Sequence, residues 1–377
     1  MAQRFGMSSQ DNTWTAGQEL VTAGIAPTTP RVLFLEPNGQ PSAPSLALIA
    51  ACLSQEGWTT SVWQTDSNRQ TPSTLGSWLP RWLGRTIGST KLLLTRLRSH
   101  DVVHILCDSP GQIVRQALPA IILTRFFGRK PILHFVSVGI EQLLDRHRRW
   151  VAPVLRLADC AVAGSRYVQR ALGRIGLEVH LLPLPVQVDQ IAHRVRRKLQ
   201  PRILVNARFE PDLNVAAAIK AFRLVKQKYP RAELVLVGDG SQRTYLVDMV
   251  ASGNINGVEF RGFMESADLS RLYNECDLFL HCPLVDESPV ALVQAFASGL
   301  PIVTTDADGL LHMVRDKVNA MVAPLGNHVG LSDAIIELVE NEELCESLSR
   351  QGRTEAEKYL WSRVRQDWVN LYKGMVK

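Results

Sequence analysis

The sequence predicts an α/β protein built as two Rossmann-like parallel-sheet domains facing each other across a cleft. Three observations predict it. The chain has 377 residues, which at roughly 100 to 200 residues per domain corresponds to two domains. Short β-branched and leucine-rich runs bounded by turn residues alternate along it with helical periods, the pattern of buried parallel strands joined by crossover helices. These runs also fall into two series, separated by one charged stretch at residues 188–200.

The first 29 residues are polar, with no basic start, apolar stretch or small-residue cleavage site, and are expected to form a poorly ordered tail, not a signal peptide. The first domain, residues 30–187, is expected to use the strands Arg31–Leu35, Thr59–Trp63, Val102–Leu106, Ile132–Val136, Cys160–Ala163 and Val179–Leu182. The stretch V-D-Q-I-A-H-R-V-R-R-K-L-Q at 188–200 lies between Pro185 and Pro201 and is expected to be a mobile interdomain linker. The second domain, 201–351, follows with Arg202–Ala207, Glu233–Gly238, Val258–Gly262, Leu278–His281, Ile302–Thr304 and Ala320–Val322. Between its first two strands, Ala218, Ile219, Phe222, Leu224 and Val225 fall on one face of a helix over Asn214–Lys228. Residues 352–377 carry Tyr359, Leu360, Trp361, Trp368 and Tyr372 at helical spacing, which predicts a helix crossing back to the first domain.

Composition excludes several classes. Hydrophobic residues make up 46% and charged residues 21%, a globular balance that argues against a disordered or fibrous chain. The longest apolar run, Ala117–Gly139, is interrupted by Arg125, Arg129 and Lys130, so no membrane span is expected. Six cysteines without a C-x-x-C pair point to buried thiols in a reducing, cytoplasmic compartment. Residues 1–190 hold 19 Lys and Arg against 12 Asp and Glu, and the remainder 23 against 24, so the first half carries the whole positive excess. That half is expected to face something anionic. Around Trp78 and Trp82, leucines alternate with Arg81, Arg85, Lys91, Arg96 and Arg98, and a second basic run covers Arg146–Arg149. Both suit a peripheral anchor on an anionic membrane surface, while the first, broken by Pro80, Gly84 and Gly88, suits equally a core-packed helix with a basic outer face. No strand is followed by G-x-G-x-x-G, against a dinucleotide oxidoreductase, and the aromatic and arginine platforms of a nucleic-acid binder are missing.

Ligands of open α/β sheets bind at the carboxyl ends of the strands. Arg208 stands at such an end, ahead of a helix N-terminus, where a guanidinium can grip a diphosphate; the structural alternative pairs it with Glu210 or Asp212. Gly238 and Gly240 permit close backbone approach after the next strand. In D-E-S-P-V-A-L-V-Q, Asp286, Glu287 and Ser288 precede a helix starting near Pro289 and Val290, and Gln294 can offer both donor and acceptor to a vicinal diol. His134 lies at a strand end, placed to meet a ligand, whereas His104 lies mid-strand as a core residue.

The second half resembles glycosyltransferase family 4 (group 1), the retaining transferases of GT-B fold. V-N-A-R-F-E-P-D-L-N-V, L-V-L-V-G-D-G-S-Q-R, V-E-F-R-G-F and D-E-S-P-V-A-L-V-Q-A-F-A-S-G-L-P-I-V-T-T carry the resemblance, in family order. The first half matches through N-G-Q-P-S, V-V-H-I-L, L-H-F-V-S and A-D-C-A-V-A-G-S. The resemblance implies transfer of a hexose from a nucleoside-diphosphate sugar, as co-substrate, to a glycan or lipid-linked acceptor, and the basic first half points to the inner face of the membrane. The resemblance implies no metal or other cofactor, and no nucleic-acid partner is expected where the aromatic and arginine platforms are missing.

Residue by residue, it puts Asn38 and Gly39 near the donor phosphates, His134 beside the transferred sugar and Arg208 on the diphosphate. Gly262 and Phe263 would hold the base, while Gly238, Glu287, Ser288, Pro289 and Val290 complete the donor site. The family signature is a pair of glutamates eight positions apart, and here those positions read Asp286 and Gln294. Leu213 stands where many relatives have a lysine. The alternative reading is a catalytically inactive relative acting as a binding or partner subunit.

Overall fold

The computed structural model describes residues 30–37, 46–65, 96–107, 109–136, 139–164, 166–188, 191–286 and 290–376. The tail 1–29, the loop with Asn38 and Gly39, most of the tryptophan-bearing basic stretch, and Glu287, Ser288 and Pro289 lie outside the described residues.

Every run read as a strand is one. The strands are β1 (Arg31–Pro37), β2 (Thr59–Thr65), β3 (Val102–Cys107), β4 (Lys130–Phe135), β5 (Cys160–Ala163) and β6 (Val179–Leu181), then β7 (Arg202–Asn206), β8 (Glu233–Val237), β9 (Val258–Gly262), β10 (Leu278–His281), β11 (Ile302–Thr305) and β12 (Met321–Ala323). They form two six-stranded sheets ordered β2-β1-β3-β4-β5-β6 and β12-β11-β10-β7-β8-β9. All the pairings are parallel. Each order reverses direction beside its first strand, which opens a crevice at the carboxyl ends of the strands.

Both faces of each sheet are covered, which is why the strands read as continuous apolar runs. In β1, Leu33 and Leu35 turn to a core with Val103, Ile105 and Phe135. The alternate residues Val32 and Phe34 turn to another with Leu46, Ile49, Trp368 and Tyr372. The last two come from the helix Trp361–Val376, at the far end of the chain. Its Trp361 Nε1 donates to Glu56 Oε1 at 3.0 Å, and Arg365 pairs with the same carboxylate.

Residues 352–377 are not one helix. The helix Glu342–Ala356 ends in a 3-10 turn at Glu357–Tyr359, Leu360 is extended, and a new helix starts at Trp361. The Tyr359 carbonyl accepts from the Val186 amide at 2.9 Å instead of continuing a helical ladder, so the chain turns there. The stretch read as a mobile linker is also fastened. Ile191, Arg196 and Leu199 are buried, and the Arg196 guanidinium donates to the carbonyls of Arg194, Ser298, Tyr273 and Cys276. Sequence charge misled here because a buried guanidinium with carbonyl partners reads like a solvated one.

None of the six cysteines forms a disulfide. No described helix is long and apolar enough to cross a membrane.

Candidate functional site

A cavity opens where the two sheets approach each other. His134, Val136, Gly164, Pro183, Leu184 and Val186 line it from one side, and Val290, Val293, His312 and Tyr359 from the other. The enclosed part is about 30 Å³, room for a water molecule or two.

His134 sits near the carboxyl end of β4, in register with Leu106 of β3 and Val162 of β5, and is 1% exposed. Its Nδ1 has no partner among the described residues. Burial pushes its imidazole down to about 3, so the ring is neutral at ordinary pH. The His104 ring stacks on it at 5.3 Å, and the Trp368 indole lies at 5.5 Å.

On the facing wall, the loop after β10 folds back so that His281 Nε2 lies 2.7 Å from Asp286 Oδ2. Both side chains are largely buried, at 4% and 13% exposure. Thr305 of β11 donates to the Pro283 carbonyl at 2.7 Å and holds the same loop. The helix Val290–Ser298 follows and turns Val290 and Val293 to the cavity. Gln294 takes another direction: its Oε1 lies 3.3 Å from the Tyr273 hydroxyl, which accepts from Asn206 Nδ2 at 3.0 Å. Asn206 ends β7, so this network ties the helix to the strand that leads to Arg208.

Arg208 is half-exposed, with Nη2 3.9 Å from Asp212 Oδ2. That is the outer limit of an ion pair and leaves the guanidinium largely available. Glu210, the other candidate partner, instead accepts from the Ser241 amide and hydroxyl at 3.0 and 2.5 Å. Gly238 follows β8, where a Cβ would lie 1.9 Å from the Ala207 carbonyl oxygen. Gly262 ends β9 at the sheet edge, its carbonyl accepting from Gly238 N at 2.8 Å, and Phe263 beside it is 40% exposed.

The structure thus brings His134 and Val290 to one cavity and leaves Arg208, Gly238, Gly262, Phe263, Asp286 and Gln294 outside its enclosed lining. Sequence reasoning missed His281, His312 and Tyr359. The strand-end rule signals His281, the last residue of β10, and, applied to the loop after β11, His312; nothing local signals Tyr359. Burial lowers His312, although the Gly309 carbonyl opposes the shift. Among the described residues no group of three or more His, Cys, Asp or Glu is placed to hold a metal ion.

Residues 189–355 match the family of glycosyl transferases group 1. The amylovoran biosynthesis glycosyltransferase AmsK of Erwinia amylovora is 25% identical over 223 residues, 56% of this chain and 55% of that protein. The phosphatidyl-myo-inositol mannosyltransferase of Mycobacterium leprae is 25% identical over 231 residues, 60% of each. The chain therefore spans little more than half the length of these curated relatives. Among solved structures, Anabaena Alr3699/HepE in complex with UDP and glucose superposes with a TM-score of 0.71 at 18% identity, covering 91% of this chain and 99% of that one. Sucrose-phosphate synthase from Thermosynechococcus elongatus gives 0.73 at 15%, covering 92% and 99%. At such identities the likeness speaks for the fold, which is GT-B.

Proposed function

From the match of residues 189–355 to the glycosyl transferases group 1, we propose that this chain moves a hexose from a nucleoside-diphosphate sugar to an acceptor with retention at the anomeric carbon. The observation that carries the proposal is the shared cavity: His134 from one sheet and the start of the helix at Val290 from the other line the same space. A half-exposed arginine at the end of β7 suits a diphosphate, whose charge would also be favoured at a helix N-terminus. That HepE was solved with UDP and glucose favours a uridine nucleotide as the donor class.

In this reading the leaving diphosphate accepts the acceptor's proton on the face it departs from. The protein contributes positioning and stabilisation of the charge that develops on the diphosphate. Arg208 carries most of the second. His134, neutral and buried, donates or accepts a hydrogen bond at the sugar without exchanging a charge. Asp286, held by His281, meets a sugar hydroxyl, and Gln294 a ribose hydroxyl. Asn38, Gly39, Gly238, Glu287, Ser288 and Pro289 complete the donor site, with the base near Gly262 and Phe263.

The acceptor is proposed to be a glycan or lipid-linked precursor at an anionic membrane surface. Phe126, 81% exposed, and Trp150, 47% exposed, support this, together with the exposed Arg146, Arg148 and Arg149. Co-sedimentation with vesicles containing anionic lipid, lost in neutral vesicles, is the expected outcome.

The donor is tested by thermal shift against a panel of nucleoside-diphosphate sugars, since ligand binding to the folded state raises Tm. Transfer and donor hydrolysis are then compared between the wild type and Arg208→Ala. The variant is expected to lose about 100-fold or more in kcat/KM. A wild type that neither binds nor turns over any donor would overturn the proposal in favour of an inactive relative.

A further inference from the structure

The far end of the chain reaches the floor of the cleft. Tyr372, on the helix Trp361–Val376, is fully buried and its hydroxyl lies 2.6 Å from Nδ1 of His104, which is also fully buried, in β3. The His104 ring stacks on His134 with an interplanar angle of 24°. Trp368, one turn before Tyr372, lies 5.9 Å from His104 and 5.5 Å from His134. Its Nε1 donates to the Pro183 carbonyl at 3.0 Å, and Pro183 lines the cavity beside His134.

Counting donors and acceptors assigns the protons. Burial holds the Tyr372 phenol well above its ordinary range and His104 well below its own, so one keeps its O–H and the other is a neutral imidazole. If the phenol donates, Nδ1 of His104 is the acceptor and the ring proton sits on Nε2. His104 Nε2 is buried without a partner among the described residues in either case; if the imidazole donates instead, the phenol proton is left without an acceptor as well, a further cost of about 1–3 kcal/mol. The first arrangement is favoured, and it fixes the His104 tautomer.

We propose that Tyr372 is a positioning residue for His134: its hydroxyl locks His104, and His104 with Trp368 holds the His134 ring at the angle it presents to the cleft. The inference rests on the transferase reading for its kinetic consequence. The geometric part stands without it. It also gives the C-terminal helix, which follows the second sheet in the chain yet packs on the first, a direct hold on a residue of the cleft.

The test is Tyr372→Phe, which keeps the ring and loses the hydroxyl. Imidazole ¹⁵N spectra of the substrate-free protein are expected to show His104 leaving the single Nε2–H tautomer and the His134 resonances shifting. In turnover, kcat is expected to fall about 5- to 10-fold with donor KM within about twofold, the pattern of a lost transition-state contact. Combined with His134→Ala, Tyr372→Phe should cost nothing further, whereas a purely structural role would multiply the two losses. Unmoved His134 resonances, or multiplicative losses, would overturn the proposal. If Tyr372→Phe does not fold, His104→Phe removes the same hydrogen bond from the other side and is held to the same spectra for His134 and the same non-additivity. Should the wild type prove inert, the spectra still decide the geometric claim while the transferase reading fails separately.

Discussion

His281 Nε2 and Asp286 Oδ2 meet at 2.7 Å across a loop that leaves β10 and turns back within five residues. The imidazole fixes a carboxylate that is one methylene shorter than the glutamate implied at that position by the family resemblance. His281→Ala removes this contact from a largely buried Asp286 side chain, a loss of about 1.5–3 kcal/mol for a hydrogen bond to a charged group. Transfer is expected to drop between about 10- and 100-fold through misplacement, with His281→Gln recovering part of it. Steady-state kinetics with the donor identified by thermal shift check this. Equal rates for His281→Ala and the wild type would show that Asp286 needs no such support.

Arg196 predicts a stability effect. Its Nη2 donates to the Tyr273 and Cys276 carbonyls at 2.6 and 3.2 Å, and its Nη1 to Ser298, so one guanidinium serves the carboxyl ends of the helices Ser266–Glu275 and Val290–Ser298. Arg196→Ala takes this donor from the Tyr273 carbonyl, while Ser298 and Cys276 keep Arg194 as a partner, and a loss of about 1–3 kcal/mol in urea unfolding is expected. Arg196→Lys restores the charge but not the fork, and should recover less than half of that.

How far the sequence disclosed this molecule depends on the range of each interaction. Strands were legible because a parallel strand buried on both faces is a run of apolar residues whatever its neighbours are. Their ends were less so: β4 starts at Lys130, two residues before the apolar run at Ile132, because backbone pairing with Val102 defines it. His134 was legible as a strand-end residue. Its setting was not, since the Tyr372 hydroxyl that reaches His104 is 268 residues away and leaves no local pattern. Asp286 and Gln294 were found as positions, but the loop fold that gives Asp286 to His281 and Gln294 to Tyr273 is a tertiary fact.

Two glycines predicted to line the donor site should respond differently to alanine. At Gly238, φ is +127° and the added Cβ would lie 1.9 Å from the Ala207 carbonyl oxygen, a backbone atom that cannot move without separating β7 from β8. At Gly262, φ is +66° and the space is open. Gly262→Ala is therefore expected to cost about 1 kcal/mol, the left-handed penalty alone, and Gly238→Ala more than about 4 kcal/mol or the soluble fold itself. Expression and thermal unfolding of the two variants give the comparison. A mild Gly238→Ala would mean that the two strand-end turns are not packed as tightly as this.

The buried His134 also makes stability depend on pH in a definite direction. Its folded imidazole is pushed down to about 3 by burial, against about 6.5 in an unfolded chain. Between those values the unfolded chain binds a proton that the native one refuses, so stability is complete above about 6.5 and is lost as the pH falls. The slope is about 1.4 kcal/mol per pH unit for this one group. His134→Phe keeps an aromatic ring against Trp368 and removes the titration. Urea unfolding at pH 7.5 and at pH 5 should therefore show the gap between wild type and variant shifting by about 2 kcal/mol in favour of the variant at the lower pH. His104, equally buried and present in both proteins, cancels from the comparison. An unchanged gap would mean that the His134 ring accepts its proton from water in the native state and that the cleft floor is wetter than the packing of His104, His134 and Trp368 implies.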